Sequence, residues 1–322
     1  MRKSILIACL GLVSLGLQAQ SISLAGEWNV ELGKSGSAFA KSKRASQGEV
    51  KHAILPGTID TNHLGFAPKD TMETTHLTRL YAYKGAARYS RTINIPKDWK
   101  KKPVELFLER TRPTWVYVDG ELVDSCNFIS TPQRYLLPKK VKPGKHLLEI
   151  VVDNGRGVPD QVYGSSHAYT EDTQTNWNGI IGRIELQLAS STDCKSTETL
   201  AGAISSRSVV SLTGAIPSRS VASPSALQMP DFAKDFHIKG AHFYANGHRI
   251  FLRGKHDAAV WPLTGHVEMS VEGWMKYLGT CKEYGINHVR FHSWCPPEAA
   301  FVAADSLGIY LQPELPFWGT IA

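Results

Sequence analysis

Two patterns of hydrophobic and polar positions divide the sequence. Between Leu24 and Leu188, short runs alternate apolar and polar residues, as in the run 87–95, which is typical of strands with one buried face. Asp119-Gly120 and Asn178-Gly179 stand at the ends of such runs and indicate tight turns. Many short strands with no helical stretch between them predict a β-sandwich or jelly roll.

The second pattern, in residues 285–319, predicts strand, loop, helix, strand and loop in succession. Ile286–Phe291 is a short apolar run, and apolar residues then recur at helical spacing until Gly308, which suits a left-handed helix cap. Ile309–Leu311 begins the next strand. Because the helical connection is short, we expect the two strands to be parallel.

Local signals extend this second pattern toward the N-terminus. Asn246-Gly247 indicates another tight hairpin, and a first strand is predicted at Phe251–Arg253. Ser270 is suited to cap a helix that ends at Gly285. Polar and aromatic residues collect after the predicted strands, and that is the end at which (β/α) barrels build their active sites.

Several segments carry a resemblance to glycoside hydrolase family 2, the family of β-galactosidases, β-glucuronidases and β-mannosidases. The segments that resemble its catalytic barrel are Phe251-Leu252-Arg253-Gly254, Gly285-Ile286-Asn287-His288-Val289-Arg290 and Asp305-Ser306-Leu307-Gly308-Ile309-Tyr310. Those that resemble its sugar-binding sandwich are Arg79-Leu80-Tyr81, Ala87-Arg88-Tyr89, Val118-Asp119-Gly120 and Gly179-Ile180-Ile181-Gly182-Arg183. One departure is that the family usually has a histidine where this chain has Ser293, whereas His292 lies one residue earlier.

The resemblance implies a multidomain β plus α/β protein. Its N-terminal jelly-roll β-sandwich, at 20–189, is followed by an incomplete (β/α)8 TIM barrel at 236–322 that holds the first three strands. An eight-fold barrel takes about 250 residues, so residues 236–322 hold roughly a third of one. The family's two catalytic carboxylates lie on the fourth and seventh barrel strands, and we therefore expect both beyond Ala322.

Two further segments have their own composition. Residues 1–19 combine a basic start, an apolar run and the small Ala19, which is the layout of a secretory signal peptide. This run is shorter than the roughly 20 apolar residues of a membrane span, so we expect an exported protein, periplasmic or secreted, with no membrane attachment after cleavage. Residues 190–235 are rich in Ser, Thr and Ala. The segment is too short for the immunoglobulin-like domain of about 100 residues that the family places there, so we predict a linker.

Charge and cysteine usage narrow the function classes. The net charge is +7, with acidic and basic residues interspersed rather than clustered, which argues against a nucleic-acid partner. Four cysteines remain after the predicted signal, without the short paired spacing of a zinc site, and spacing leaves their disulfide state open. They are Cys126, Cys194, Cys281 and Cys295. We expect no metal and no cofactor, and the sequence does not indicate an oligomeric state.

Eight residues are candidate substrate contacts, because they follow strands whose carboxyl ends should meet at one edge or because the resemblance places them there. They are Asp153, His256, Asp257, Arg290, His292, Trp294, Glu314 and Trp318. Alternatives stay open: Trp294 stacks on a sugar or fills the core, and Asp153 reaches the site or belongs only to a turn. Glu314 accepts from a sugar hydroxyl or pairs with Arg290.

The sequence therefore predicts the N-terminal part of an exported β-glycosidase, β-galactosidase-like, whose partner is an oligosaccharide or polysaccharide-derived glycoside. Two alternatives from other classes remain. One is a non-catalytic carbohydrate-binding protein in which the sandwich does the binding, and the other is a truncated product without activity.

Overall fold

The computed structural model describes residues 21–36, 49–68, 79–171, 175–189 and 236–319, together with positions 72, 74, 75 and 77. The predicted signal peptide at 1–19 and the predicted linker at 190–235, which includes Cys194, lie outside the described residues. Within the described ranges, no helix has the length and apolar character needed to cross a membrane.

The first unit is built from two antiparallel sheets. Its strands are β1 (Ser21–Ser23), β2 (Gly26–Gly33), β3 (Lys51–Leu55), β4 (Gly57–Thr58), β5 (Ala86–Ile95), β6 (Val104–Thr111), β7 (Thr114–Val118), β8 (Glu121–Cys126), β9 (Gln133–Leu136), β10 (Gly144–Asp153) and β11 (Gly179–Leu188). One sheet has the order β3-β2-β5-β10-β7-β8, and the other has β1-β11-β6-β9 with β4 also paired to β11. The expectation that this unit is built mainly of β-strands is confirmed.

The core of this unit lies between the two sheets. Trp28, Tyr89 and Ile150 from the first sheet and Leu106 and Ile184 from the second belong to one buried apolar cluster. They occupy alternate positions of their strands, because successive side chains of a strand point to opposite faces. The alternation in the sequence therefore marks the inner face of a β-sandwich.

Contrary to the expectation of strands alone, the described part of this β region also contains a 3-10 helix at Lys97–Trp99 and a short α-helix. Helix α1 spans Asp160–Ser165, begins directly after Pro159, and buries Val162. It lies in the long connection between β10 and β11, where the sequence shows no helical periodicity because one and a half turns are too short to display one.

The second unit begins with a three-stranded antiparallel sheet and continues as a parallel β/α unit. Its elements are β12 (Phe236–Lys239), β13 (His242–Ala245), β14 (His248–Ile250), β15 (Gly254–Asp257), α2 (Val271–Glu283), β16 (His288–Phe291), α3 (Glu298–Leu307) and β17 (Tyr310–Pro313). Strands β15, β16 and β17 form one parallel sheet in that order. The parallel arrangement expected from the short helical connection is confirmed.

The local signals of the second unit are confirmed, with one correction. The Ser270 side chain accepts a hydrogen bond from the Gly273 N–H and caps α2. Gly308 ends α3 in the left-handed conformation, at φ 73° and ψ 46°. The first parallel strand, however, is Gly254–Asp257 and not Phe251–Arg253. The prediction at 251–253 was wrong because the apolar residues there precede the strand, and this shift of three residues changes which face of the sheet the side chains of 255–257 occupy.

The two faces of the parallel sheet have different chemistry. Val289 and Phe291 of β16 are fully buried in a cluster with residues of α2 and α3. The opposite face carries a cross-strand row, His256–Arg290–Gln312, which is exposed. The helices therefore cover one face only, and the uncovered face is polar.

Two buried arginines of the sandwich fix the loops near this polar face, and one of them, Arg110, connects the two units. Arg110 on β6 donates from Nη1 to the Cys295 carbonyl at 2.9 Å, and Arg112 donates to the Ala168 and Trp177 carbonyls at 2.7 and 3.1 Å. The Arg112 guanidinium also lies 4.1 Å from the centre of the Trp177 ring, within cation–π range. Burial lowers the pKa of each guanidinium to about 10, so both stay charged at neutral pH.

We expect Arg112→Met to lower the free energy of unfolding by about 2–4 kcal/mol. The carbonyls of Ala168, Thr175 and Trp177 would each lose a hydrogen-bond donor, which destabilises the fold by about 1–3 kcal/mol per carbonyl. Because the variant no longer buries a charge, part of this destabilisation is offset. Urea unfolding monitored by circular dichroism measures the change. Arg183→Met, at a half-exposed arginine, is the control and should cost no more than about 1 kcal/mol. Equal midpoints for both variants would contradict this role of Arg112.

Candidate functional site

The candidate site lies at the carboxyl end of the parallel strands and is centred on an ion pair. Arg290 Nε on β16 donates to Glu314 Oε1 at 2.7 Å, and Glu314 directly follows β17. The second carboxylate oxygen accepts from the Ser293 N–H at 2.8 Å and lies 3.1 Å from His292 Nδ1. Of the two sequence alternatives for Glu314, the pairing with Arg290 is present.

The environment of Glu314 sets its protonation. Partial burial opposes ionisation, but the hydrogen bonds from Ser293 N–H, His292 and Arg290 together outweigh it and lower the pKa of this carboxyl below its usual 4.5. Glu314 is therefore a carboxylate at neutral pH, held in place by three neighbours. Such a group orients other side chains and is a poor proton donor.

Ser293 gives the loop after β16 its shape. Its backbone is in the left-handed region at φ 52°, which is uncommon for a residue with a Cβ, and the residue is fully buried. This turn directs its N–H at Glu314, while its Oγ accepts from the His167 N–H at 3.1 Å. Ser166 Oγ donates to the Ser293 carbonyl at 3.1 Å. One loop of the β/α unit thus holds both the carboxylate and a segment of the sandwich.

Three imidazoles and one indole surround the ion pair. The ring centre of His292 lies 5.0 Å from that of His256, 4.8 Å from that of His167 and 5.2 Å from that of Trp318. Trp318 is 63% exposed. The structure therefore brings together His256, Arg290, His292, Glu314 and Trp318 from the candidate set, and it adds His167.

The position of Asp257 corrects one expectation. Because β15 includes residues 256 and 257, alternation sends His256 to the polar face and Asp257 to the opposite face. Asp257 is buried, contacts the Tyr277 hydroxyl of α2, and lies 3.5 Å from Lys255 Nζ. Its carboxylate holds α2 against β15 and does not face the cluster.

The positions of Trp294 and Asp153 give two further corrections. Trp294 is 1% exposed, packs edge-on against Phe291 at 4.9 Å between ring centres, and donates from Nε1 to the Asp257 carbonyl. We assign it to the core, which was the alternative to a sugar contact. Asp153 is fully buried and accepts from Ser35, from the backbone N–H groups of residues 36 and 155, and from Arg156. It organises its turn and is closed to a ligand.

No sequence pattern indicates His167 as a site residue. It follows Ser165 and Ser166 in an irregular loop, and only the fold brings that loop to the carboxyl end of β16. Arg112 had a weak signal, since an arginine directly after a buried strand needs hydrogen-bond partners inside the protein. Its partners are carbonyls of a loop more than 50 residues away, and sequence spacing does not identify them.

The described residues include no group of three or more His, Cys, Asp or Glu side chains arranged to hold a metal ion. Cys126, Cys281 and Cys295 are free thiols, and burial raises the pKa of each. A cavity of about 400 Å³ lies elsewhere between the units, lined by residues that include Gly57, Glu109 and His266. None of the eight predicted site residues lines it.

Comparison with solved structures finds proteins that share this fold, a β-sandwich joined to a parallel β/α unit. The β-glucuronidase of Faecalibacterium prausnitzii matches 93% of this chain with a TM-score of 0.59 and 16% identity. A glycoside hydrolase family 2 β-galacturonidase from Eisenbergiella tayi bound to galacturonate matches 91% with a TM-score of 0.57 and 15% identity.

A third solved structure, a β-glucuronidase from Ruminococcus gnavus in complex with D-glucaro-d-lactam, matches 92% of the chain with a TM-score of 0.61 and 14% identity. The chain spans only 57–60% of the length of these three proteins. No family model and no curated protein matches the sequence. The resemblance to the N-terminal portion of glycoside hydrolase family 2 proteins is thus confirmed at the level of the fold.

Trp294→Ala should lower the free energy of unfolding by about 3–5 kcal/mol, because it empties a buried site of the second core. Thermal and urea unfolding measure the loss. Trp318→Ala is the matched control and should change stability by less than about 0.5 kcal/mol, since the ring is largely exposed. A stable Trp294→Ala variant with weakened sugar binding would instead restore the sugar-stacking interpretation.

The stability contributed by Glu314 should depend on pH. Because its pKa is lower in the folded chain, this stability is fully present above the ordinary pKa of about 4.5 and is lost as the pH falls through the folded-state value. The wild-type chain should therefore be more stable than Glu314→Gln at pH 7, and the difference should vanish in acid. Glu298→Gln, at an exposed glutamate, is the control. A difference that persists unchanged at pH 3 would contradict the assignment.

Proposed function

We propose that the chain is the N-terminal part of an exported β-glycosidase. In this proposal the sandwich is a jelly roll, and β15, β16 and β17 are the first three strands of a (β/α)8 barrel. Fold likeness to the first part of solved β-glucuronidases and a β-galacturonidase supports it, as does the parallel order of the three strands. The signal-like composition of residues 1–19 supports export.

The observation that carries the proposal is the cluster at the carboxyl end of these strands. The ring centre of His292 lies 5.0 Å from that of His256 and 5.2 Å from that of Trp318, and the Arg290–Glu314 pair is beside them. Sugar sites combine aromatic surface with a few fixed polar groups. Ligand contacts in such barrels come from the residues that follow each strand. The substrate class is therefore an oligosaccharide or polysaccharide-derived β-glycoside.

In this proposal, residues of this sequence bind the sugar, and residues outside it carry out the hydrolysis. Retaining glycosidases need two carboxylates about 5 Å apart, one as acid/base and one as nucleophile. Glu314 is held by Arg290, and Asp257 is turned toward α2, so neither meets this requirement. We propose that the catalytic pair is supplied by residues beyond Ala322. His256, His292 and Trp318 then hold the sugar, while Glu314 and Arg290 fix the geometry of the surface.

The purified chain should bind aryl β-glycosides without hydrolysing them. Without an acid and a nucleophile at the site, the glycosidic bond receives neither a proton nor a covalent partner. Titration calorimetry with 4-nitrophenyl β-glycosides measures binding, and release of 4-nitrophenolate measures turnover. Trp318→Ala should weaken binding by about 1 kcal/mol. Trp115→Ala, which is in the sandwich on β7, is the control for nonspecific stacking.

Two results would contradict the proposal. Turnover that is lost in Glu314→Gln would place the chemistry within this chain. An absence of binding to every β-glycoside tested, with the fold intact, would remove the sugar site.

A further inference from the structure

We propose that a lysine surface at the end of the sandwich remote from the candidate site binds anionic polysaccharides through their carboxylate or sulfate groups. This inference rests on the proposed function, because the choice of a carbohydrate polymer follows from a glycoside substrate. It goes beyond that function by adding a second contact with the polymer, away from the sugar site. The lysine surface is formed by Lys97, Lys100, Lys101, Lys102, Lys139, Lys140, Lys142 and Lys145.

The fold brings together two basic segments that are far apart in the sequence. Residues 96–103 connect β5 with β6, and residues 137–143 connect β9 with β10. In one sheet Ile95, at the end of β5, pairs with Gly144, at the start of β10. In the other sheet the start of β6 pairs with the end of β9 in the same way. The two connections therefore cross the same end of the sandwich side by side, and Lys145 follows on β10.

Apolar side chains anchor both connections and leave the lysines outside. Trp99 is 3% exposed and belongs to the core between the sheets, as does Leu137, and Val141 packs against that core. All eight lysines of the surface are exposed. The backbone beneath the charges is thereby fixed, whereas the ammonium groups reach the solvent on their flexible stems.

Positive charge dominates this end of the molecule. Among the residues described there, three carboxylates lie close to the lysines, namely Asp98 in the first connection and Asp119 and Glu121 at the turn between β7 and β8. Asp119 Oδ2 lies 2.7 Å from His146 Nδ1, and Glu121 pairs with Lys140. The lysines outnumber these acidic groups by more than two to one, and a field of one sign attracts a polyanion.

The composition of the two connections favours a polysaccharide over a nucleic acid. Single-stranded nucleic acids stack on exposed aromatic rings, and arginine is the usual residue for bidentate contacts with bases and phosphates. The two connections contain no arginine, and their one aromatic side chain, Trp99, is buried. Lysine ammonium groups are hydrated point charges without a fixed geometry, which suits carboxylates or sulfates spaced along a flexible sugar chain.

One polymer can occupy this surface and the sugar site together. Strand β6 starts beside the lysine surface with Val104 and ends with Thr111, next to Arg110, which binds the Cys295 carbonyl near the site. A strand of eight residues spans about 25 Å, so the two sites do not overlap. Attachment of one polymer at two points raises the effective concentration of its sugars at the site.

The test compares polysaccharides of different charge for binding to the purified chain by biolayer interferometry. Polygalacturonate carries carboxylates, dextran sulfate carries sulfates, and dextran is the neutral control. We expect at least one anionic polymer to bind and dextran not to bind. The Kd should rise with added salt, because the Debye length falls from about 30 Å at 0.01 M to about 10 Å at 0.1 M. The triple variant Lys100→Gln, Lys102→Gln, Lys139→Gln should raise the Kd about tenfold through loss of three exposed ion pairs.

A second triple variant has the same net charge and an intact lysine surface. Lys84→Gln, Lys239→Gln, Lys276→Gln removes three exposed lysines from other parts of the chain and should bind like the wild type. Both variants should keep the wild-type melting temperature, since all six positions are exposed. An equal Kd for the two variants would mean that net charge alone decides binding, and the inference would be wrong.

Two outcomes separate this inference from the proposed function. If 4-nitrophenyl β-glycosides bind but neither anionic polysaccharide does, the inference is wrong and the proposed function stands. The same conclusion follows if DNA or vesicles of anionic phospholipid bind through the lysines and the polysaccharides do not. If the glycosides do not bind while polysaccharide binding depends on the lysines, the sugar site is wrong and the lysine surface stands.

Discussion

The burial of two positive charges whose hydrogen bonds go to backbone carbonyls is the interaction on which the arrangement of this chain depends. Arg110 and Arg112 each give up hydration on entering the interior, as their lowered pKa values show. The cost is offset only while the guanidinium hydrogen bonds stay formed. The loops that supply the carbonyls are therefore not free to move independently of the strand that carries the arginines.

These loops are the ones that bear the candidate site. The carbonyl bound by Arg110 belongs to Cys295, two residues after Ser293, and one bound by Arg112 belongs to Ala168, next to His167. The site thus has two halves, each held by a different arginine of one segment of the sandwich. The sandwich is in this view the scaffold that aligns the polar face of the parallel sheet with the loop beside it.

Sequence reasoning succeeded where the determining forces are local. The hairpin at Asp119-Gly120 and the cap at Gly308 follow from backbone conformations that few residues adopt, and both are present. Sequence reasoning failed where the position of a side chain depends on a small shift of a strand or on a partner that is distant in the sequence. A strand that includes residue 257 turns Asp257 to the helical face, and packing from other elements buries Trp294. The approach of His167 depends on the docking of two units, which no periodicity records.

The carbonyl acceptors of the two buried arginines also bear on how the sequence of such a chain can diverge. Every amino acid has the same carbonyl, so the side chains at positions 130, 168, 175, 177 and 295 are free to change as far as these hydrogen bonds are concerned. For these hydrogen bonds, only the two donors must remain arginine. Loops held through their carbonyls can therefore change in sequence while they keep their place, which is compatible with a shared fold at 14–16% identity.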